Sequence, residues 1–351
     1  MEVFVPHQKD RNIYLDEIIS FSNHNFIFGN YKEYRDLYKI VNIQFPEAIF
    51  DWKSPSTEEL VNFELQLLNW KKKSKIVYTM NDFTTHYDKK NKFSEVFSLI
   101  HKYSDGVIHL GKYSLDNYEK YFSSSCLHTI IYHPLYNSLT EDYMTKEIQS
   151  LVPTDLTNKF IVSAIGGIRS KEELDLILKI FKKLPIKNKF LIVPRMFQFI
   201  IIPDYIPYRF RKYYKRLIEK KYCFSLSKNQ YFFSARFLEY SYLVDLVKRS
   251  SLMIIPRIKN LNSGNLYLGL TFDKLMIIPE IGNLTETANY FGLPLLDLQN
   301  KNYKEVITMV LDLKSNQYYS SDKYLKDKHF FHPEKIAKDY DAFFNLLGEF
   351  K

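Results

Sequence analysis

The chain has 351 residues, of which 46% are hydrophobic, enough to form two domains with their own cores. Its net charge is +9, but 40 acidic residues are spread among 49 basic ones, which argues against a nucleic-acid partner. Two cysteines, Cys126 and Cys223, make neither a disulfide framework nor a metal cluster, and no leader peptide or membrane span is visible, so we expect a cytoplasmic protein.

Short apolar strands alternate with helical patterns over the first half of the chain. Strands are predicted at 2–6, 25–28, 38–43, 75–80, 106–110 and 129–133, and helices at 15–20, 57–71, 93–103 and 115–122. This alternation is typical of a parallel sheet that is covered by helices.

The same alternation restarts in the second half. Strands are predicted at 159–165, 189–194, 251–256 and 275–279, with an amphipathic helix at 171–184. We therefore predict an α/β protein of two doubly wound domains, 1–150 and 151–332, that face each other across a cleft. The last helix, 333–351, is expected to pack back on the first domain. Ligands of such sheets bind at the carboxyl ends of the strands, so the cleft is the expected site.

Residues 256–286 carry the most informative pattern. Between a strand and an apolar helix stand Asn262, Ser263, Gly264 and Asn265, with Arg257 and Lys259 nearby. Helix starts offer N–H groups and the positive end of the helix dipole to an anion. The pattern favours a diphosphate site, and an ordinary helix cap is the alternative.

A second anion-binding candidate follows the strand at 159–165. Here Gly166 and Gly167 allow close approach of the backbone, and Arg169 and Lys171 add positive charge near a helix start. Arg195 follows the next strand. Two such openings in one domain could clamp both phosphates of a nucleoside diphosphate. The alternative for each arginine is a plain surface charge.

The segment 207–222 breaks the α/β pattern. It interleaves seven basic residues with aromatic ones, as in helices that lie on anionic membranes. We favour the other interpretation, a solvated face whose Tyr and Phe side chains are buried against the domain.

The order of elements, the strand–GGIR–helix unit and the NSGNLYLGLTFDKLMIIPEIGNLTE segment resemble GT-B glycosyltransferases of the bacterial polysaccharide type. Four further segments resemble elements of these enzymes, namely Asn42–Glu47, Tyr78–His86, Ser104–His109 and His133–Tyr136. The resemblance spans about 38–291. It implies two Rossmann-like domains and transfer of a sugar from a nucleotide-diphosphate donor to a glycan or lipid-linked acceptor. The setting would be surface polysaccharide synthesis at the inner face of the membrane.

Several departures from the family leave the stereochemistry open. Many retaining members carry two glutamates, and in this chain Asn260 and Leu268 stand at the corresponding positions. Two histidines of the family are replaced by Gln44 and Met80. Basic residues and a helix start are expected to stabilise the leaving diphosphate, so we predict neither a metal ion nor another cofactor.

The resemblance and the anion patterns together assign roles to individual residues. The predicted donor-binding residues are Gly167, Arg169, Lys171, Arg195, Arg257, Asn262, Ser263, Gly264, Asn265 and Glu286. Of these, Glu286 would hold the donor's ribose or sugar, or else serve only as an acidic residue at a helix start. If transfer inverts the anomeric centre, the candidates for the base are His86, then Asp82, then Glu47.

Two other functions remain open. The first is a non-catalytic two-domain binder, such as a degenerate transferase. The second is a nucleotide-sugar epimerase of the same fold, which would need the same diphosphate clamp.

Overall fold

The computed structural model describes residues 1–9, 12–84, 92–140, 143–197, 200–203, 205–224, 229–234, 238–259, 261–315 and 318–349. Two six-stranded sheets, each flanked by helices, are built from these residues, and every strand pairing is parallel. The predicted α/β fold with two Rossmann-like domains is confirmed.

The first sheet and its helices come from the N-terminal part of the chain. The elements are β1 (Glu2–Val5), α1 (Ile13–Ile19), β2 (Asn25–Phe28), β3 (Ile40–Ile43), α2 (Thr57–Trp70), β4 (Lys75–Met80), α3 (Lys92–Tyr103), β5 (Gly106–His109), α4 (Lys112–Tyr118) and β6 (Leu127–Ile130). The strand order is β2-β1-β3-β4-β5-β6. The direction of strand addition therefore reverses between β1 and β3, and at such a point the loops diverge and leave a crevice.

The second sheet uses the remaining strands. The elements are β7 (Phe160–Ser163), α5 (Lys171–Lys183), β8 (Lys189–Val193), α6 (Tyr208–Cys223), β9 (Tyr231–Phe233), α7 (Tyr240–Arg249), β10 (Leu252–Ile254), α8 (Gly264–Thr271), β11 (Met276–Pro279), α9 (Gly282–Tyr290), β12 (Leu295–Leu296), α10 (Tyr303–Ser315), α11 (Asp322–His329) and α12 (Pro333–Glu349). The order β12-β11-β10-β7-β8-β9 is that of dinucleotide-binding domains, with its crevice between β7 and β10.

Helix α12 packs on the first sheet although it follows the second in sequence. Ile336 and Phe344 join the core cluster of Val3 and Ile108. The Tyr340 and Tyr14 hydroxyls are hydrogen-bonded at 2.8 Å. The end of the chain thereby completes the core beside β1.

Helix α6 differs from the prediction for its segment. None of its residues is buried, and Tyr208 and Tyr213 are 90% and 64% exposed. The expectation that the aromatic side chains of this segment are buried is therefore wrong for these tyrosines. No helix in the described part of the chain is long and apolar enough to cross a membrane.

Candidate functional site

A cavity of about 390 Å³ lies between the two domains. The loops after β1, β3 and β4 line it from the first domain with Asn12, Phe45 and Asp82 among their residues. The loops after β7, β8 and β10 line it from the second domain. The crevices at the two reversal points of strand order thus open on the same space.

The loops after β7 and β8 are joined to each other. Gly167 forms a parallel bridge with Arg195, and the Ile168 N–H donates to the Arg195 carbonyl at 3.1 Å. Gly166 has φ +91°, and a Cβ there would stand 3.0 Å from the Arg257 guanidinium, so only glycine fits easily. This backbone arrangement brings Arg169 and Arg195 to the lining of one cavity.

Arg257 lines the same cavity but is 5% exposed. Its Nη1 lies 3.2 Å from Glu173 Oε2 and donates to the Gly167 carbonyl at 3.1 Å. Glu173 Oε2 also accepts the Arg169 N–H at 2.7 Å. Arg257 therefore connects the glycine loop to the buried Glu173 carboxylate. Its contact with a phosphate stays a prediction.

Helix α8 begins at the cavity. Ser263, Gly264 and Asn265 all line it, and the Ser263 side chain caps no N–H of the helix. The Asn265 side chain donates to the Ile165 carbonyl at 2.5 Å, which fixes the helix start against the end of β7. A Cβ on Gly264 would stand 2.5 Å from the Tyr136 hydroxyl. The start of α8 therefore lies at the cavity that Arg169 and Arg195 also line, which is a favourable setting for an anion.

His133 and Tyr136 are lining residues that the sequence reasoning did not select as site residues. The His133 ring stacks on Tyr267 at 4.2 Å, and its Nδ1 lies 2.7 Å from the Pro134 carbonyl. That contact requires the proton on Nδ1, which leaves Nε2 to accept from the Tyr136 hydroxyl at 3.3 Å. Burial lowers the pKa of His133 to about 3, so the ring is a neutral polar wall. The rule that ligands meet the carboxyl ends of strands could have selected it, since it follows β6.

The three candidates for the base have different positions. Asp82 is half-buried and lines the cavity. Glu47 lies in a 3-10 turn (Pro46–Phe50) outside the lining residues. Burial, together with the Glu47 and Asp82 carboxylates, raises the pKa of Tyr78 well above its usual value. His86 lies outside the described residues.

Two predicted donor-binding residues do not line the cavity. Lys171 is exposed in the first turn of α5. Glu286, on α9, is bound to the first domain, since its Oε2 accepts the N–H groups of Lys112 and Tyr113 at 2.5 and 3.3 Å. Its Oε1 accepts the Tyr132 hydroxyl at 2.9 Å. Glu286 thus connects α9 to the first domain, and its contact with the donor stays a prediction.

Helix α9 caps helix α4 across the cleft. Asn283 Oδ1 accepts the Ser114 N–H at 3.0 Å, next to the N–H groups that Glu286 holds. A Cβ on Gly111 would lie 2.7 Å from Asn283 Oδ1. Asn262 continues the contact, since it accepts from Asn283 at 2.9 Å and donates to the Asn81 carbonyl at 2.7 Å. Asn262 thus lines the cavity while it connects the domains.

A second cavity, of about 540 Å³, adjoins the first. Asp82 lines both cavities. The aromatic side chains of Phe83, Tyr113 and Tyr118 line the second one together with Lys259 and Glu280. Phe83 and Tyr118 stack with ring centroids 4.2 Å apart. The half-buried residue Asp82 is therefore shared by a basic cavity and an aromatic one.

Two doubly wound domains with facing crevices define the GT-B fold, and the comparisons with solved structures agree. HepE from Anabaena in complex with UDP-glucose is similar with a TM-score of 0.67 and 12% identity, over 99% of this chain and 100% of that one. Sucrose-phosphate synthase from Thermosynechococcus elongatus has a TM-score of 0.64 and 9% identity, over 99% and 98% of the chains. A glycosyltransferase from Rickettsia africae has a TM-score of 0.61 and 11% identity, over 100% and 99%.

These likenesses show the fold. No protein-family model matches the chain, and no curated protein matches it significantly.

Proposed function

We propose that this protein is a glycosyltransferase that moves a sugar from a nucleoside-diphosphate donor to a glycan or lipid-linked acceptor. It would act in the cytoplasm, in surface polysaccharide synthesis, without a metal ion. The observation that carries the proposal is the convergence of Arg169, Arg195 and the start of α8 on one cavity at the crevice of the second sheet.

The negative charge that develops on the leaving group during sugar transfer supports this function. When the sugar leaves, negative charge develops on the diphosphate, and fixed cations and N–H dipoles stabilise it with little reorganisation. Arg169, Arg195 and the N–H groups of Gly264 and Asn265 would supply that field. The HepE structure holds UDP-glucose, which is the kind of ligand this proposal assigns to the cavity.

The second cavity is the proposed acceptor site. Aromatic faces suit the apolar faces of sugar rings, and Phe83, Tyr113 and Tyr118 provide them. Asp82 lies on the boundary of the two cavities. An attacking hydroxyl group in the second cavity could give its proton to this carboxylate, so Asp82 is the proposed base if transfer inverts the anomeric centre.

Incubation with a panel of nucleotide sugars and glycan acceptors, with detection of the released diphosphate, tests the function. Acceptor-dependent release from one donor supports transfer. Conversion of the donor sugar without any acceptor would identify an epimerase instead. Binding of the nucleoside diphosphate without turnover of any donor would favour the non-catalytic binder.

A further inference from the structure

Helix α6 carries most of the chain's net charge. Its 16 residues hold seven basic side chains and one carboxylate, Glu219. This is a net charge of +6 on one helix, in a chain whose total is +9. In the described part of the chain Lys212, Lys215 and Arg216 form no ion pair, and neither do Lys220 and Lys221.

Large apolar side chains share the exposed side of this helix. Phe210, Tyr213 and Leu217 follow one another at three- and four-residue spacing, which places them on one face. They are 48%, 64% and 67% exposed. The helix is preceded by Ile201 and Tyr205 and followed by Phe224, which are 59%, 81% and 92% exposed. Groups of large exposed apolar side chains such as Phe210, Tyr213 and Leu217 mark interaction sites in soluble proteins.

Basic side chains form the neighbouring stripe. Arg209, Lys212, Arg216 and Lys220 have the same three- and four-residue spacing, and all four are exposed. The opposite face is the one that meets the domain, where Tyr222 packs against Phe197 at 6.4 Å. The exposed face of α6 therefore combines an apolar stripe with a cationic one.

We propose that this face of α6 docks on a lipid bilayer that contains anionic headgroups. Helices that lie in the bilayer interface bury Phe and Leu between the headgroups while Lys and Arg bind lipid phosphates. A nucleic acid would match the charges, but it offers little to Leu217 and Ile201. The apolar stripe therefore favours the bilayer as the occupant.

The topology places the start of α6 at the end of the second sheet that meets the cleft. β8 and β9 are parallel, so α6 must run back between them and begins at the carboxyl end of the sheet. The loop that leads into α6 starts with Pro194 and Arg195, and both line the cavity. The first turn of α6, with Phe210, therefore lies at the same end of the second sheet as the loops that line the cavity.

Sedimentation with vesicles tests the proposal. Wild-type protein should bind vesicles made of equal parts phosphatidylglycerol and phosphatidylcholine, and should not bind pure phosphatidylcholine. Binding should fall at about 1 M salt, where the Debye length is about 3 Å. The triple substitution K212Q/R216Q/K220Q should weaken partitioning about 100-fold, since each charge near an anionic surface contributes about fivefold.

Two further variants separate the causes. K72Q/K73Q/K323Q removes three exposed lysines elsewhere and should change partitioning by less than about threefold. F210S/Y213S/L217S keeps every charge and should still weaken partitioning at least about tenfold, because the inserted apolar area is lost. All variants should retain the wild-type melting temperature, since every substituted residue is exposed.

Equal vesicle binding by the α6 charge variant and the lysine control would overturn the proposal. Unchanged binding by the apolar-stripe variant would also overturn it and would point to a soluble polyanion as the partner. Neither result depends on glycosyl transfer, because vesicle binding requires no donor.

Discussion

Arg169 and Arg257 follow adjacent strands, yet their surroundings give them different roles. Arg257 is buried against the Glu173 carboxylate, whereas Arg169 lines the cavity next to Arg195. Glu173 links the two, since it also holds the Arg169 N–H. At the residue scale, one arginine pairs with a buried carboxylate and the other lines the cavity that we propose for the donor.

The substitution Arg169→Ala should weaken nucleoside-diphosphate binding. A charge-assisted hydrogen bond to phosphate contributes about 2 kcal/mol, so Kd should rise about 30-fold. Lys171→Ala is the matched control, because Lys171 is exposed two residues away, and its Kd should change less than about threefold. Titration calorimetry measures both, and equal effects of the two substitutions would remove Arg169 from the site.

The substitution Glu173→Gln should destabilise the fold. It leaves the buried Arg257 without its counter-charge, and breaking such a pair costs about 3 kcal/mol or more. Glu172→Gln changes an exposed neighbour and should cost less than about 0.5 kcal/mol. Urea unfolding measures the difference, and similar unfolding midpoints for the two variants would show that the pair contributes little.

Buried histidines should make the protein sensitive to acid. Burial lowers the pKa of His101 to about 4, whereas an unfolded histidine titrates near 6.5. Between these two pH values the unfolded chain binds a proton that the folded chain does not. The free energy of unfolding should therefore fall by about 1.4 kcal/mol for each pH unit of acidification because of His101.

His101→Phe tests this pH dependence, because the ring lies among aromatic neighbours such as Phe83 and Phe122. The variant should lose less stability than wild type between pH about 6.5 and 4. His329→Gln, at an exposed position, serves as the control. An unchanged slope for His101→Phe would mean that the ring is protonated in the folded state.

At the scale of elements, the start of α4 is capped by a helix of the other domain. Asn283 and Glu286 accept the N–H groups that no residue of α4 can satisfy. Sequence reasoning could identify Glu286 as an acidic residue near a helix start. It could not find the partner, because Lys112 lies 174 positions away and only the packed domains bring the two together.

Glu286→Ala should expose the start of α4 without a loss of donor affinity. Loss of a cap costs about 1 kcal/mol, so amide hydrogen exchange at Lys112 and Tyr113 should accelerate about fivefold. Asn289→Ala, at an exposed position of α9, should leave exchange unchanged. A Kd for nucleoside diphosphate that rises more than about tenfold while exchange stays constant would restore Glu286 as a donor-binding residue.

The sequence predicted long, regular elements better than short ones. The strand at 75–80 and the helix from Lys171 match the structure closely because their apolar periodicity is strong. β6 ends at Ile130, three residues earlier than predicted. The apolar run continues past Ile130, which is the last residue of β6 that pairs with β5. β9 has three residues at the sheet edge, too few for a pattern, and was not predicted.

At the scale of the whole molecule, the site depends on two crevices that face each other. Strand ends predicted which loops carry Arg169, Arg195 and Ser263, and these loops do meet at one cavity. The buried partner of Arg257 and the shared position of Asp82 arise from loop conformation and domain packing. No local pattern in the sequence encodes such contacts.

A crystal structure with a bound nucleoside diphosphate tests the central claim most directly. We predict pyrophosphate oxygens about 3 Å from the Arg169 and Arg195 guanidinium groups and from the first N–H groups of α8. A pyrophosphate bound instead against α9, beside Glu286 and away from both arginines, would contradict the proposed donor site.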